Sequence, residues 1–210
     1  MILRNFVVFE GIDGTGTTTQ FQLLKKKFIE NKTDSSTVFT FEPTQGEIGQ
    51  LIRKGLSGSP SFEPETMARL FSADRCEHMY GSGGIIEELN QGKAVFCDRY
   101  VFSSLAYQST AGDRQLTAEL NAHFPLPEYL FYFHIDADAA MDRVEKRAQS
   151  LEIYEKREFQ REVLKAYSAI LEDFSKKESK MKIIVINATD KIETISEKIW
   201  SVVSNLPKIE

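Results

Sequence analysis

Only two cysteines occur in the 210 residues, Cys76 and Cys97, too few for a disulfide framework or a four-thiolate metal site. A reducing compartment fits that usage. Positive charge is not in excess either, since 26 Lys and Arg stand against 31 Asp and Glu, a net charge of -5. No global field draws the chain to nucleic acid or to an acidic membrane, although a local basic pocket can still hold a small phosphate ligand. No apolar run approaches the ~20 residues that span a bilayer. The opening MILRNFVVFEG has too short an apolar run for a signal peptide. These absences lead us to expect a cytoplasmic protein with neither nucleic acid nor a membrane as its main partner.

What is present is an alternation of short β-rich runs with longer stretches of helical period. That pattern predicts one α/β domain over residues 1–210, a parallel sheet with helices on both faces. The strand candidates are 6–9, 37–41, 94–97, 129–135 and 182–186, nearly continuous apolar runs of the kind buried on both sides. Between them, spacings such as Phe21, Leu24, Phe28 and Ile48, Leu51, Ile52 mark amphipathic helices. Two polar stretches, 110–115 and 149–157, interrupt the pattern as candidate mobile connections.

The first strand runs into Glu10, glycines 11, 14 and 16, and then Thr17, Thr18 and Thr19 at the start of a helix. Strand, glycine loop and helix in that order describe a phosphate-binding loop. Glycines let the backbone approach the phosphates, while successive N–H groups and the helix N-terminus supply partial positive charge. The pattern G-x-x-x-x-G-K-[ST] also requires a lysine at 17, where this sequence has Thr17. A charge that would bridge the β and γ phosphates is thereby missing. Thr18 holds the hydroxyl position that ligates Mg2+, and Asp98 directly follows an apolar strand, where the ligand crevice of an open parallel sheet lies.

The string FEGIDGTGTTTQ resembles the opening of the thymidylate kinases, in the nucleoside monophosphate kinase group of P-loop proteins. The resemblance continues through FTFEPTQGEIGQLIRK (39–54), LFSADRCEH (70–78), CDRYVFSSLAYQ (97–108), KRAQSLEIYEKREFQ (146–160) and VINATD (185–190). It implies a three-layer P-loop fold with a five-stranded parallel sheet and a short lid near 149–157. It also implies transfer of a phosphoryl group from ATP to dTMP with Mg2+, in a homodimer. The alternative is a nucleotide-binding protein of the same fold, with weak or no activity because the loop lysine is Thr17.

By the same resemblance, Gly11, Ile12, Asp13, Gly14, Thr15, Gly16, Thr17, Thr18, Thr19, Arg147 and Ala188 bind ATP. Arg147 stands for the residue stacked on adenine. Asp13, Pro43, Arg53, Phe71, Arg75, Arg99, Ser104, Tyr107 and Gln108 bind dTMP, with Phe71 on the base, Arg99 on the acceptor phosphate and Tyr107 crowding the sugar 2' position. Asp13 and Arg99 are the catalytic candidates, and Thr18 and Asp98 the metal ligands. Family members often carry an arginine where this chain has Phe41, and some carry one at the position of Gly14. The missing charge therefore falls to Arg99 or to the lid, through Lys156 or Arg157. Read without the resemblance, Phe71 serves equally as a core residue, Asp74 as a solvated helix-face charge, and Lys156 and Arg157 as a basic helix start.

Overall fold

The five apolar runs become the strands β1 (Ile2–Gly11), β2 (Thr37–Phe41), β3 (Ala94–Asp98), β4 (Leu126–His134) and β5 (Lys182–Asn187) in a computed structural model. It describes residues 1–147, 152–176 and 180–208, Arg147 through its backbone only. All pairings are parallel, in the order β2-β3-β1-β4-β5. The chain passes from β1 to the edge strand β2, returns to β3 between the two, then crosses over β1 to β4 and β5. The reversal puts a crevice at the carboxyl ends of β1 and β3, where the glycine loop and Asp98 stand.

The helices are α1 (Thr17–Glu30), α2 (Glu47–Leu56), α3 (Pro64–Tyr80), α4 (Ile85–Asn90), α5 (Val101–Ala111), α6 (Arg114–Asn121), α7 (Ala137–Arg147), α8 (Arg157–Lys176) and α9 (Ile192–Val203). Alternate side chains of β1 serve opposite faces of the sheet. Phe9 meets Phe21 of α1 with ring centroids 5.5 Å apart, and Phe6 meets Tyr100, ahead of α5, at 5.2 Å. Residues Phe6, Val7, Val8 and Phe9 are all fully buried, which explains why this strand reads as an unbroken apolar run. The face that carries Phe6 also carries Glu10, and α5 and α8 cover it.

The stretch 110–115 is not the mobile connection expected of it. Helix α5 runs to Ala111, and Asp113 caps α6 by accepting from the N–H groups of Gln115 at 2.7 Å and Leu116 at 3.0 Å. Polarity there reflects an N-cap. Of the lid stretch, 149–151 lie outside the described residues. The remainder is docked: Ile153 donates its N–H to Leu56 O at 3.1 Å, and the Tyr154 ring lies parallel to Phe159 at 5.0 Å.

Candidate active site

The glycine loop takes the conformation its composition allows. Gly14 and Gly16 have φ of 84° and 90°, left-handed values that L side chains rarely adopt. A Cβ at Gly14 would also lie 2.2 Å from Ala140 O, so the close approach of α7 leaves no room for an arginine there. No side chain caps α1, and its first N–H groups are left for an anion. Beside them is a cavity of about 340 Å³ lined by Gly14, Gly16, Thr19 and Ala188.

Arg143 also lines this cavity, and sequence reasoning missed it. Its guanidinium donates to Ala188 O at 3.2 Å and to Gly14 O at 3.4 Å. Arg147, the sequence candidate for this role, is four residues further along the same helix, ~6 Å down its axis, and its side chain lies outside the described residues. Spacing along the chain does not tell which of the two turns abuts the loop.

At the switch point, Thr18 Oγ1 donates to Asp98 Oδ2 at 3.1 Å. The other carboxylate oxygen, Oδ1, is buried with no partner among the described residues. Burial raises the pKa of Asp98, while Arg99 opposes the shift. A hydroxyl beside a half-satisfied buried carboxylate is a donor set that fits Mg2+.

The acceptor-side residues converge on a cavity of about 260 Å³, lined by Asp13, Pro43, Arg53, Phe71, Arg99, Tyr107 and Gln108 among others. Arg53 donates to the backbone oxygens of Pro43 and Thr44. Its guanidinium lies 5.6 Å from the Phe41 ring centroid, so the residue that departs from the family pattern supports this arginine. Two of the sequence candidates do not line the cavity. Arg75 is 1% exposed and donates from Nε to Glu42 Oε2 at 2.9 Å, from Nη2 to Ser104 Oγ at 3.0 Å, and to Asn121 Oδ1. Ser104 is thus a partner of Arg75, and the adjacent Ser103 lines the cavity instead. Asp74 is no solvated charge: it is buried and accepts from Thr44 N at 2.7 Å and Thr44 Oγ1 at 2.6 Å.

The Glu42–Arg75 pair holds the wall of this cavity in place. Breaking such a pair leaves a charge buried without compensation. Glu42→Ala is expected to lower the unfolding free energy by about 3–5 kcal/mol, read from urea denaturation.

Asp13 stands where loop and cavity meet. It accepts from Arg99 Nη2 at 2.6 Å on one oxygen, and from Gln160 Nε2 at 2.8 Å and Tyr107 OH at 3.1 Å on the other. Gln160, fully buried on α8, ends the 146–160 motif but was given no role from the sequence. Arg99 itself has φ 70°, a backbone cost of about 1–3 kcal/mol for a residue with a side chain. Strained, half-buried beside an opposite charge and facing a cavity, it has the features of a functional residue.

The lid contributes Glu152 and Tyr154 to the acceptor cavity, and burial raises the pKa of Glu152. Arg157 does not reach the cavity. It is held by Asp142 at 2.6 Å and Glu145 at 2.7 Å, with Asp138 3.7 Å away, because acids on α7 face the start of α8. Lys156 is exposed.

A cavity beside an uncapped glycine loop, and a second cavity lined by that loop's Asp13 and by Arg99 at the switch point of a parallel sheet, define a P-loop protein of the phosphoryl-transfer class. Comparison with known proteins narrows the class. A family model described as thymidylate kinase matches residues 9–199. A relative from Treponema pallidum (strain Nichols) is 46% identical over 198 residues, 94% of each chain. One from Methanocaldococcus jannaschii is 35% identical over 209 residues, 99% of this chain and 100% of its own. A third, from Methanococcus maripaludis (strain S2), is 38% identical over 211 residues, 99% of each. All three carry thymidylate kinase names. The chain belongs to the thymidylate kinase family.

Proposed function

We propose that the protein transfers the γ-phosphoryl group of ATP to dTMP, giving ADP and dTDP for dTTP synthesis. The observation that carries this reading is the 2.6 Å ion pair between Asp13 of the loop and Arg99 at the end of β3, which joins the donor loop to the acceptor cavity. The acceptor phosphate is already anionic, so the protein's work is positioning and charge. Loop N–H groups and the hydroxyls of Thr17, Thr18 and Thr19 hold the donor phosphates, with the adenine side near Arg143 and Ala188.

Arg99 and Arg53 receive the acceptor phosphate, Phe71 packs on the base, and Tyr107 stands beside the sugar. Gln108 Oε1, buried in the cavity wall with no partner among the described residues, accepts the ring N–H of the base. Thr18 and Asp98 would hold Mg2+, which would supply charge neutralisation to the donor phosphates. The lid is read as 149–157. Family resemblance supports a homodimer, which sedimentation would test, and a cytoplasmic location. Among the described residues no helix is long and apolar enough to cross a membrane.

A coupled ADP-release assay with dTMP, dUMP and UMP tests the reaction. Turnover of dTMP above that of UMP is expected, and rates equal to a blank without acceptor would overturn the reading. The kinase names of the relatives lend no support to the binding-only alternative. Thr17→Lys measures the absent charge. Of the described guanidiniums near the loop, Arg99 is committed to Asp13, Arg143 to two carbonyls and Arg157 to acids. A gain in kcat of about 10-fold is therefore expected, one unit of charge stabilisation at the transferring group. An unchanged kcat would mean that another cation, with Lys156 the exposed candidate, serves in its place.

A further inference from the structure

Behind the site lies a buried acid that the reaction as described does not use. Glu10, fully buried on β1, accepts on Oε1 from Tyr100 N at 2.8 Å and Ser103 N at 3.1 Å. On Oε2 it accepts from Ser103 Oγ at 2.6 Å and Tyr167 OH at 2.8 Å. Tyr100 and Ser103 belong to the start of α5, whose first N–H groups have no cap from their own segment. Glu10 thus caps α5 from across the sheet.

The same carboxylate fixes a hydroxyl. Ser103 spends its proton on Glu10 and turns a lone pair to Arg99 Nη1 at 3.2 Å. The left-handed backbone of Arg99 is also anchored on β1, its own N–H by Phe9 O at 2.9 Å and the next N–H by Glu10. An acceptor-only group at Glu10 therefore controls both the backbone and the side chain of the arginine above it.

We propose that Glu10 is a positioning residue for the phosphoryl transfer, holding Ser103 and the start of α5 so that Arg99 is presented to the acceptor phosphate. The inference rests on the reading of Arg99 given above. The charged and titratable groups that face Glu10 are Arg99 and Cys97 from β3 and the turn after it, Tyr132 of β4, and Tyr167 of α8. Burial pushes its pKa up to about 7, against Ser103, Arg99 and Tyr167, which hold it down. As pH falls through that value Glu10 gains a proton and loses an acceptor site, and Ser103 no longer has to donate to it. The grip on Arg99 then loosens. An amide at this position has the same defect at every pH, because its NH2 donates where the carboxylate accepted.

The test is steady-state kinetics from pH 5.5 to 9 on the wild-type protein, Glu10→Gln, Ser103→Ala and Arg99→Ala, with thermal unfolding of each. Glu10→Gln is expected to raise KM for dTMP about 10-fold while KM for ATP stays within twofold, a loss of about one charge-assisted hydrogen bond. The acid limb of kcat/KM for dTMP near pH 7 should vanish in this variant, leaving only the limb from the second ionisation of the substrate phosphate near ~6. Ser103→Ala should raise KM for dTMP in the same direction. Should Glu10→Gln fail to fold, Ser103→Ala decides, and wild-type KM values for both substrates overturn the proposal. A lowered Tm for Glu10→Gln with wild-type KM values and an unmoved pH limb leaves Glu10 a merely structural cap and also overturns it. If Arg99→Ala itself keeps its kcat/KM for dTMP, the reading of the site has failed, not the role of Glu10 within it.

Discussion

Arg99→Ala is expected to lower kcat/KM for dTMP by about 10³-fold or more, the range over which arginines act on a transferring phosphoryl group. KM for ATP should change less, because the guanidinium bonds to Asp13, Gly11 O and Ser103 and lines the acceptor cavity but not the donor cavity. The loss has two parts. The phosphate loses a planar pair of donors, and Asp13 is left with only Tyr107 and Gln160, so a carboxylate beside bound phosphates is no longer neutralised. Arg99→Lys restores charge without the fork and should recover only part of the rate. Rates within tenfold of wild type for Arg99→Ala would remove this residue from the catalytic set.

Asp98→Asn is expected to lower kcat by about 10²–10³-fold, the usual effect of removing one electrostatic stabiliser from a phosphoryl-transfer site. The Mg2+ concentration needed for half-maximal rate should rise with it. Stability should move the other way. One carboxylate oxygen is buried without a partner and burial raises the pKa of the group, so holding it ionised at neutral pH costs folding free energy that the neutral amide avoids. Calorimetry without Mg2+ should show a Tm equal to or above wild type in a nearly inactive protein. A lowered Tm with an unaltered Mg2+ dependence would instead make Asp98 a structural residue.

The parts of this site that were legible in the sequence are those whose chemistry is local. Three glycines, a hydroxyl run and an apolar strand within fourteen residues already describe a phosphate cradle, because backbone conformation and helix polarity act between neighbours. The five strands were legible as short apolar runs, although only the inner strands are buried on both faces and the edge strands β2 and β5 are partly exposed. Residues Phe71, Arg99, Tyr107 and Gln108 came through motif resemblance, and the fold brings them to one cavity.

Other assignments depended on contacts that no spacing encodes. That Arg143 lines the loop cavity depends on how α7 packs against the loop, which spacing along the chain does not encode. Arg157, basic and near the lid, is taken by acids twelve to nineteen positions away on α7, a competition invisible until two helices pack. Gln160 reaches Asp13 across 147 positions, and Tyr167 reaches Glu10 across 157.

The sequence by itself determined the chemistry: a chain of this composition, with this loop and these motifs, binds phosphates on an α/β sheet and lacks the loop lysine. Only the tertiary structure decided which side chains stand in the cavities and which stand behind them, placing Arg75 and Ser104 in the wall, Ser103 at the surface and Glu10 beneath Arg99. The physical reason is that burial and hydrogen-bond saturation are properties of packed elements, and a buried carboxylate with four donors is assembled from three segments that are neighbours only after the sheet has formed.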